Sequence, residues 1–563
     1  MPHPPRPNRV LPASYLPSQN FWQSDLSLQD FVQRFISEEA RQYMEDKWQQ
    51  LGQRAAVDMD ALSLQADKHG PELIRRNFLG EDVFDVRFHP AYEQLMAMAV
   101  ESEMFRVKWE PELRQQFQAE RHRTSFVNSF LYAMGEGGIP CPLCMTDGAA
   151  RLVDRFCTEE DRQRILPHLY TLDPKELYTG AMFLTEKSGG SDVGANLVRA
   201  EQEEGSKYRL YGEKWFCSNV NADIIFVLAR VNPEIRGTRG LSIFLVEKRL
   251  PDGSKNPLEI LRLKDKLGVR SMASAECMLN GTIGTLIGEE GEGFRIMTDM
   301  INLSRLYNAA AALSFARRAL IEAYQYLCHR VTFGQKAISH SLVRAKLGEL
   351  GARYLADFYF LWDTIMALDH ADQEDEQAGA ALRLLTPMLK KGSAEQGVYL
   401  VRESMELMGG MGYNEDGVMP KLMRDVLVLP IWEGAGNIMV LDMLRAWQKP
   451  GAWAVTKAQI EAAFQGHFGI EHAWKTSWEA LLTSFEKAFA LPQDESVYQT
   501  KRALEKLTDF HRMACLLRYQ TEASTPWIAP ALAWWESQLF PEAKPAGYLP
   551  DEASLHQLLA WKA

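Results

Sequence analysis

Residues 207–219 read KYRLYGEKWFCSN, and DIIFVLARV (223–231), GLSIFLVEKRL (240–250), LEILRL (258–263) and ASAECMLNGTIGTLIG (273–288) follow. These short β-branched and aromatic runs are separated by Gly, Pro, Asn and Asp, the strand-and-turn signal of a compact barrel or sandwich of about 110 residues. On either side the period is helical. Upstream, DLSLQDFVQRFI (25–36), PAYEQLMAMAVESEMFRV (90–107) and ARLVDRFCTEEDRQRIL (150–166) space their apolar residues three and four apart. Downstream of GEEGEGF (288–294), Leu306, Ala309, Leu313, Ala316, Leu320, Ala323 and Leu327 form the seam expected of a long bundle helix. The segments 341–368 and 378–408 continue an up-and-down bundle. After Pro450–Gly451 comes a further helical stretch rich in Trp (453, 474, 478, 527, 534, 535, 561). The order predicts an α+β, mainly α chain. It has an N-terminal helical domain (1–176), a central β-barrel or sandwich domain (177–288), a four-helix-type bundle (289–446) and a helical C-terminal extension (447–563).

The 563 residues carry 62 Lys and Arg against 74 Asp and Glu, a net charge of −12, and 46% of them are apolar. That composition excludes wholesale disorder and collagen-like designs. No stretch approaches the roughly 18 uninterrupted apolar residues of a spanning helix. The first residues, MPHPPRPNRVLPASY, are proline-rich and lack an apolar signal core. Seven cysteines in so long a chain do not make a disulfide framework. These features predict a soluble, cytoplasmic, multidomain protein.

A glycine-rich phosphate loop would be the first sign of nucleotide chemistry. No GxGxxG follows a strand and opens a helix, no GxxxxGK[ST] occurs, and no HExxH is present. CPLC (141–144) is a lone CxxC in helical surroundings, so these cysteines are read as structural and no metal is expected.

Three segments are harder to explain as scaffold. MFLTEKSGGSDVGAN (182–196) sets the hydroxyls of Thr185, Ser188 and Ser191 among adjacent glycines, where backbone amides can approach a ligand; it also reads as a surface turn. EKWFCSN (213–219) places an aromatic pair before a hydroxyl, suited to a flat heterocycle or to ordinary strand core. PIWEGAGN (430–437) sets Glu433 among apolar residues, with no basic residue in sequence nearer than Arg424 or Arg445. Apolar company disfavours a charged carboxylate, raises its proton affinity and suits a general base; the other reading is a hydrated loop Glu.

Taken together, FLTEKSGGSD, GEKWFCSN, LGVRSMASAECML with GEEGEGF, RVTFG, GGMGYNEDGVMPKLMRD and IWEGAGNIMVLDMLR resemble the acyl-CoA dehydrogenase family, in the family's order from Phe183 to Arg445. FDVRFHPAY (84–92), CPLCMT (141–146), TEKSGGSDV (185–193) and the helical extension are similar to its alkylation-response, AidB-like branch. The resemblance implies FAD as cofactor and Glu433 as the catalytic base that removes the α-proton of an acyl-CoA. Hydride then passes to the flavin N5 and trans-2-enoyl-CoA is formed. It implies enolate stabilisation by the backbone amide of that Glu and by a ribityl hydroxyl. Leu184 and Thr185 match positions lining the flavin ring, and Ser191 one near flavin and substrate. Phe216 matches the position of a Trp against the isoalloxazine, and Ser218 that of a hydroxyl bonding N5. Arg330 and Phe333 match a segment reaching a neighbouring subunit's FAD, and Gly409 and Gly410 match cofactor-approach glycines. Ala435 and Asn437 stand where many members have Thr and Gln beside the cofactor, and Gly434 falls with Ser191 and Glu433 on the substrate side. A shared FAD implies a homotetramer, and electron-transfer flavoprotein is the family's expected acceptor.

The match has departures. His340 and Ser341 stand where RxxFG segments end in a Gln, and Glu406 replaces a Gln before the glycine pair, where a carboxylate would repel a pyrophosphate unless paired or turned away. Two other functions compete with dehydrogenation. One is an acyl-CoA-binding or sequestering flavoprotein with little turnover. The other is a DNA-associated alkylation-response protein. Residues 446–563 hold 11 Lys and Arg against 13 Asp and Glu, a net of −2, which argues against a nucleic-acid partner for the extension.

Overall fold

A computed structural model describes residues 20–449, 451–465, 467, 470–520, 525–542 and 548–562. The proline-rich start and Pro450 lie outside them. The chain forms two compact units: one holds the residues up to Asp58, Phe117–Met134 and Asn308 onward, the other Met59–Gln116 and Gly135–Tyr307. The division falls inside the long helix Gly293–His329.

The second unit is built on a barrel. Its strands are β3 (Gly180–Phe183), β4 (Arg199–Glu204), β5 (Lys207–Ser218), β6 (Ile224–Arg230), β7 (Leu241–Glu247), β8 (Leu258–Leu263) and β9 (Ser274–Ile287), numbered after a hairpin described below. The order β6-β4-β5-β9-β7 closes when β7 pairs back onto β6 from Ile224↔Glu247 to Arg230↔Leu241. The strand-patterned runs of the sequence thus become the barrel, with Phe183, Leu210, Val227, Phe244 and Leu279 in its core.

The hairpin is β1 (Glu72–Arg76) and β2 (Asp82–Arg87), inside the stretch (1–176) that the sequence predicts as helical. Its strands are half-exposed and its turn, Asn77–Gly80, carries no Asn-Gly or Asp-Gly signal. Tertiary contact supports it: Leu73, Phe84 and Val86 pack on the barrel core, and Lys255 donates to Asp85 at 2.5 Å.

The other unit is helical. All seven seam residues from Leu306 to Leu327 are buried, as their spacing predicts, and from Ala309 onward they belong to this unit. The bundle helices Ser341–Ala371, Glu376–Leu407 and Gly436–Trp447 follow. Asp375 caps the second of these by accepting from the amides of Gln377 and Ala378. Arg317, fully buried, donates to both carboxylate oxygens of Asp25 at 2.8 and 3.0 Å and to the carbonyls of Leu559 and Ala560, tying both ends of the described chain to one bundle helix. In the extension, helices Ala452–Phe464, Glu471–Phe489, Gln493–Tyr519 and Ile528–Leu539 enclose an aromatic core. Phe464 stacks on Trp474 at 5.1 Å and Trp478 meets Phe510 edge-on at 5.2 Å. Its tryptophans are packing residues.

All seven cysteines are free thiols. Cys141 and Cys144 are buried on the helix Pro140–Phe156. Among the described residues no helix is long and apolar enough to cross a membrane.

Candidate functional site

The motif residues lie on two surfaces, one in each unit. On the barrel, the register of β5 against β9 slips between Lys214↔Cys277 and Cys217↔Ala275, so Trp215 and Phe216 face one residue, Glu276. Such a bulge re-aims a side chain. Phe216 there takes φ 54° and is 60% exposed. A bulky residue in the left-handed region costs on the order of 1–3 kcal/mol, and such strain gathers at functional sites.

The adjoining Leu184–Glu186 segment is fixed from several directions. Trp215 N–H donates to the Thr185 carbonyl at 2.8 Å, and Asn196 Nδ2 to the Leu184 carbonyl at 2.6 Å. Beneath it Lys214 Nζ donates to Glu186 Oε1 at 2.8 Å and to the Leu184 carbonyl at 3.2 Å. Glu186 also accepts from the amides of Leu197 and Val198. Burial pushes the Lys214 ammonium below its ordinary value, opposed by the Glu186 carboxylate. Gly190 lets the Gly-Gly turn fold back, since a Cβ there would lie 2.9 Å from Thr185 Oγ1. Ser191 is exposed at the end of that turn. Ser218 Oγ is 3.4 Å from Ser274 Oγ, which accepts from Lys266 Nζ at 3.1 Å. Lys264 Nζ caps the Trp215 ring at 3.3 Å from its centroid while pairing with Glu276 at 2.6 Å. Sequence reading named the surface residues Leu184, Thr185, Ser191, Phe216 and Ser218. It missed the anchors Glu186, Lys214, Lys264 and Asn196, which sit inside or beside the same motifs.

On the helical unit, Glu433 is half-buried in the turn before the helix Gly436–Trp447. It takes φ 55°, followed by Gly434 at 101°. Trp432 Nε1 donates to Asn308 Oδ1 at 2.6 Å, and buried Lys390 donates to the Gly434 carbonyl at 2.6 Å. The apolar company that the local sequence gives Glu433 is not complete in the fold: the helix Glu376–Leu407 delivers an ammonium beside the turn. Ala435 opens the following helix without a side-chain cap, and exposed Asn437 accepts from Lys501 Nζ at 3.2 Å.

Gly409 and Gly410 are exposed in a short 3-10 turn, Gly409 at φ 58°, and a Cβ at either would meet nothing within 4 Å. Glu406 is ion-paired with Arg402 at 2.9 Å, so its charge is balanced. Arg330 precedes a tight hairpin, β10 (Val331–Thr332) and β11 (Gln335–Lys336), whose tip residue Phe333 is 98% exposed at φ 49°. His340, in the place of the expected Gln, bonds Thr332 and Gln335 and packs edge-on to Phe333. Phe216, Phe333 and Glu433 are three of nine non-glycine residues at positive φ among the described residues. Strain thus marks motif positions in both units.

Family models match in chain order: the AidB N-terminal domain over residues 13–172, the acyl-CoA dehydrogenase middle domain over 181–282 and the acyl-CoA dehydrogenase C-terminal domain over 291–447. AidB of Escherichia coli (strain K12) is 35% identical over 443 residues, covering 77% of this chain and 79% of its own. The crystal structure of Caenorhabditis elegans ACDH-11 in complex with C11-CoA superposes with a TM-score of 0.82 at 26% identity, covering 99% of this chain and 93% of that one. An acyl-CoA dehydrogenase from Bacillus anthracis, complexed with FAD, shares the fold at a TM-score of 0.70 and 18% identity, over 94% and 93% of the two chains. The chain belongs to the acyl-CoA dehydrogenase family, in its AidB-like branch.

Proposed function

We propose that this protein is an FAD-dependent acyl-CoA dehydrogenase in which Glu433 removes the α-proton of an acyl-CoA thioester. The observation that carries the reading is the Glu433 turn: a carboxylate half-buried and strained at φ 55°, fixed through its neighbour Gly434 by buried Lys390. A residue held against its backbone preference by surrounding structure is pre-organised for chemistry.

Family members bind FAD, and the barrel surface fits a flavin. Phe216 supplies an exposed aromatic face, Leu184 and Thr185 a half-buried floor, and Ser218 a hydroxyl beside it. Open space at Gly409 and Gly410 suits the approach of a phosphate or ribose to backbone. Phe216, Leu184, Thr185 and Ser218 would hold the flavin, which would supply the acceptor for the hydride leaving Cβ. Glu433 takes the proton from Cα, and the Cα–H electron pair becomes the new double bond of the trans-2-enoyl-CoA. Neutral Glu433 then returns the proton to solvent. On the helical unit Gly434 would be a substrate residue and Ala435 and Asn437 cofactor residues; on the barrel unit Ser191 would be a substrate residue. Exposed Phe333 and Arg330 belong to a contact with a second subunit, as in a homotetramer.

The test is anaerobic titration of the flavin-loaded protein with acyl-CoAs of short, medium and long chain. Bleaching of the flavin band with formation of enoyl-CoA supports dehydrogenation. Tight binding without bleaching at every chain length overturns it in favour of acyl-CoA sequestration, the function that would keep the same pocket.

A further inference from the structure

We propose that the C-terminal extension is a positioning element of the catalytic turn. This rests on the reading of Glu433 given above. The extension helix Gln493–Tyr519 presents Lys501, Glu505, Thr508 and Arg512 at spacings of four, three and four residues, which places them on one stripe. Each meets the catalytic half of the bundle. At one end Arg512 donates to both oxygens of buried Asp357 on the helix Ser341–Ala371, at 2.6 and 3.1 Å. Beside it the extension sits down on Gly392, where a Cβ would lie 2.8 Å from Arg512 Nη2 and 3.3 Å from Thr508 Cγ2. That glycine directly follows Lys390 and Lys391.

One turn along, Lys391 bridges Glu505 at 3.2 Å and Glu395 at 2.8 Å. The same Lys391–Glu395 pair abuts the start of the catalytic helix: a Cβ on Gly436 would lie 3.2 Å from Glu395 Oε1 and 3.8 Å from Lys391 Cε. At the far end of the stripe Lys501 donates to Asn437. The buried Asp357–Arg512 pair seats the extension, and the two outer contacts carry that seat to residues 436 and 437. The adjacent lysines divide the work: Lys390 holds the Gly434 carbonyl from behind, and Lys391 links the extension to the next residues of the turn.

The test is hydrogen exchange over residues 428–440, read on the full-length holoenzyme without substrate. Lys501→Met combined with Glu505→Gln removes the outer contacts and leaves the Arg512 seat. Exchange in that segment accelerates about three- to tenfold, the range set by partly exposed ion pairs, while the helix Ser341–Ala371 keeps its protection. Lys501→Arg, which retains the donor, stays within about twofold of the parent protein. The anaerobic bleaching rate of the double variant falls by a similar factor with acyl-CoA affinity unchanged. Unaltered exchange in the segment, or equal acceleration throughout the helical unit, overturns the proposal. The exchange experiment decides the clamp whether or not the parent protein bleaches, so its failure is separable from failure of the dehydrogenase reading.

Discussion

Phe216 on the barrel and Glu433 on the bundle are both held at φ near +55°, yet they are supported in different ways. Phe216 is anchored by its own strand and by neighbours in the same motifs: Lys214 two residues before it, and Thr185 and Glu186 about thirty residues upstream across a closed ladder. The Glu433 turn has no ladder. Its supports, Lys390 and Lys501, are 44 and 64 residues from the positions they hold. A barrel can fix a ligand surface by backbone pairing, whereas a turn between helices must borrow long cationic side chains from elsewhere in the bundle.

That contrast can be broken experimentally. The largest structural effect is expected on the barrel, where Lys214→Met strands the Glu186 carboxylate. Removing one partner of a buried pair costs about 3–5 kcal/mol, to be read from denaturant unfolding of the holoprotein. On the bundle, Lys390→Met leaves the Gly434 carbonyl without its donor at a cost of about 1–3 kcal/mol. The bleaching rate should drop while FAD content stays at the parent level. Phe216→Gly sharpens the comparison from the other side: relief of left-handed strain raises the melting temperature of the apoprotein by about 1 kcal/mol equivalent, while flavin is retained more weakly. An apoprotein destabilised by clearly more than about 1 kcal/mol, the cost of a glycine's added chain entropy, would count against strain at Phe216.

A pH-dependent effect concerns the extension. Burial, with Arg518 and Arg512 nearby, holds the His511 imidazole well below its ordinary value of 6.5, and neither ring nitrogen is hydrogen-bonded. Below pH 6.5 the unfolded chain therefore takes up a proton that the folded extension does not. This contribution to stability is complete above that pH and declines as pH falls, by up to about 1.4 kcal/mol per pH unit. Unfolding midpoints across this range should show the slope in the parent protein and lose it in His511→Phe.

Much of this was legible in the sequence. Periodicity located the barrel strands and the buried seam from Leu306 to Leu327, because each period reports a single buried face. The motifs singled out Phe216, Thr185 and Glu433 as candidates because their glycines and aromatics depart from scaffold composition. The hairpin Glu72–Arg87 was not legible, since its half-exposed strands are stabilised by packing on a barrel that local sequence does not encode. Lys390, Lys391 and Lys501 were equally silent: a lysine in a helical pattern reads as a solvated face until the fold shows what its ammonium reaches. The extension's 11 Lys and Arg against 13 Asp and Glu argue against a basic tail. That count could not show that a few of those charges point into the bundle.

The most direct test of the account is single-turnover mixing of the anaerobic flavin-loaded protein with an acyl-CoA that it binds, beside Glu433→Gln under the same conditions. A general base contributes about 100- to 10,000-fold, so the parent should bleach and the variant should bind the same ligand with bleaching slowed by at least about a hundredfold. Equal bleaching in the two proteins would contradict the assignment of Glu433 as the base.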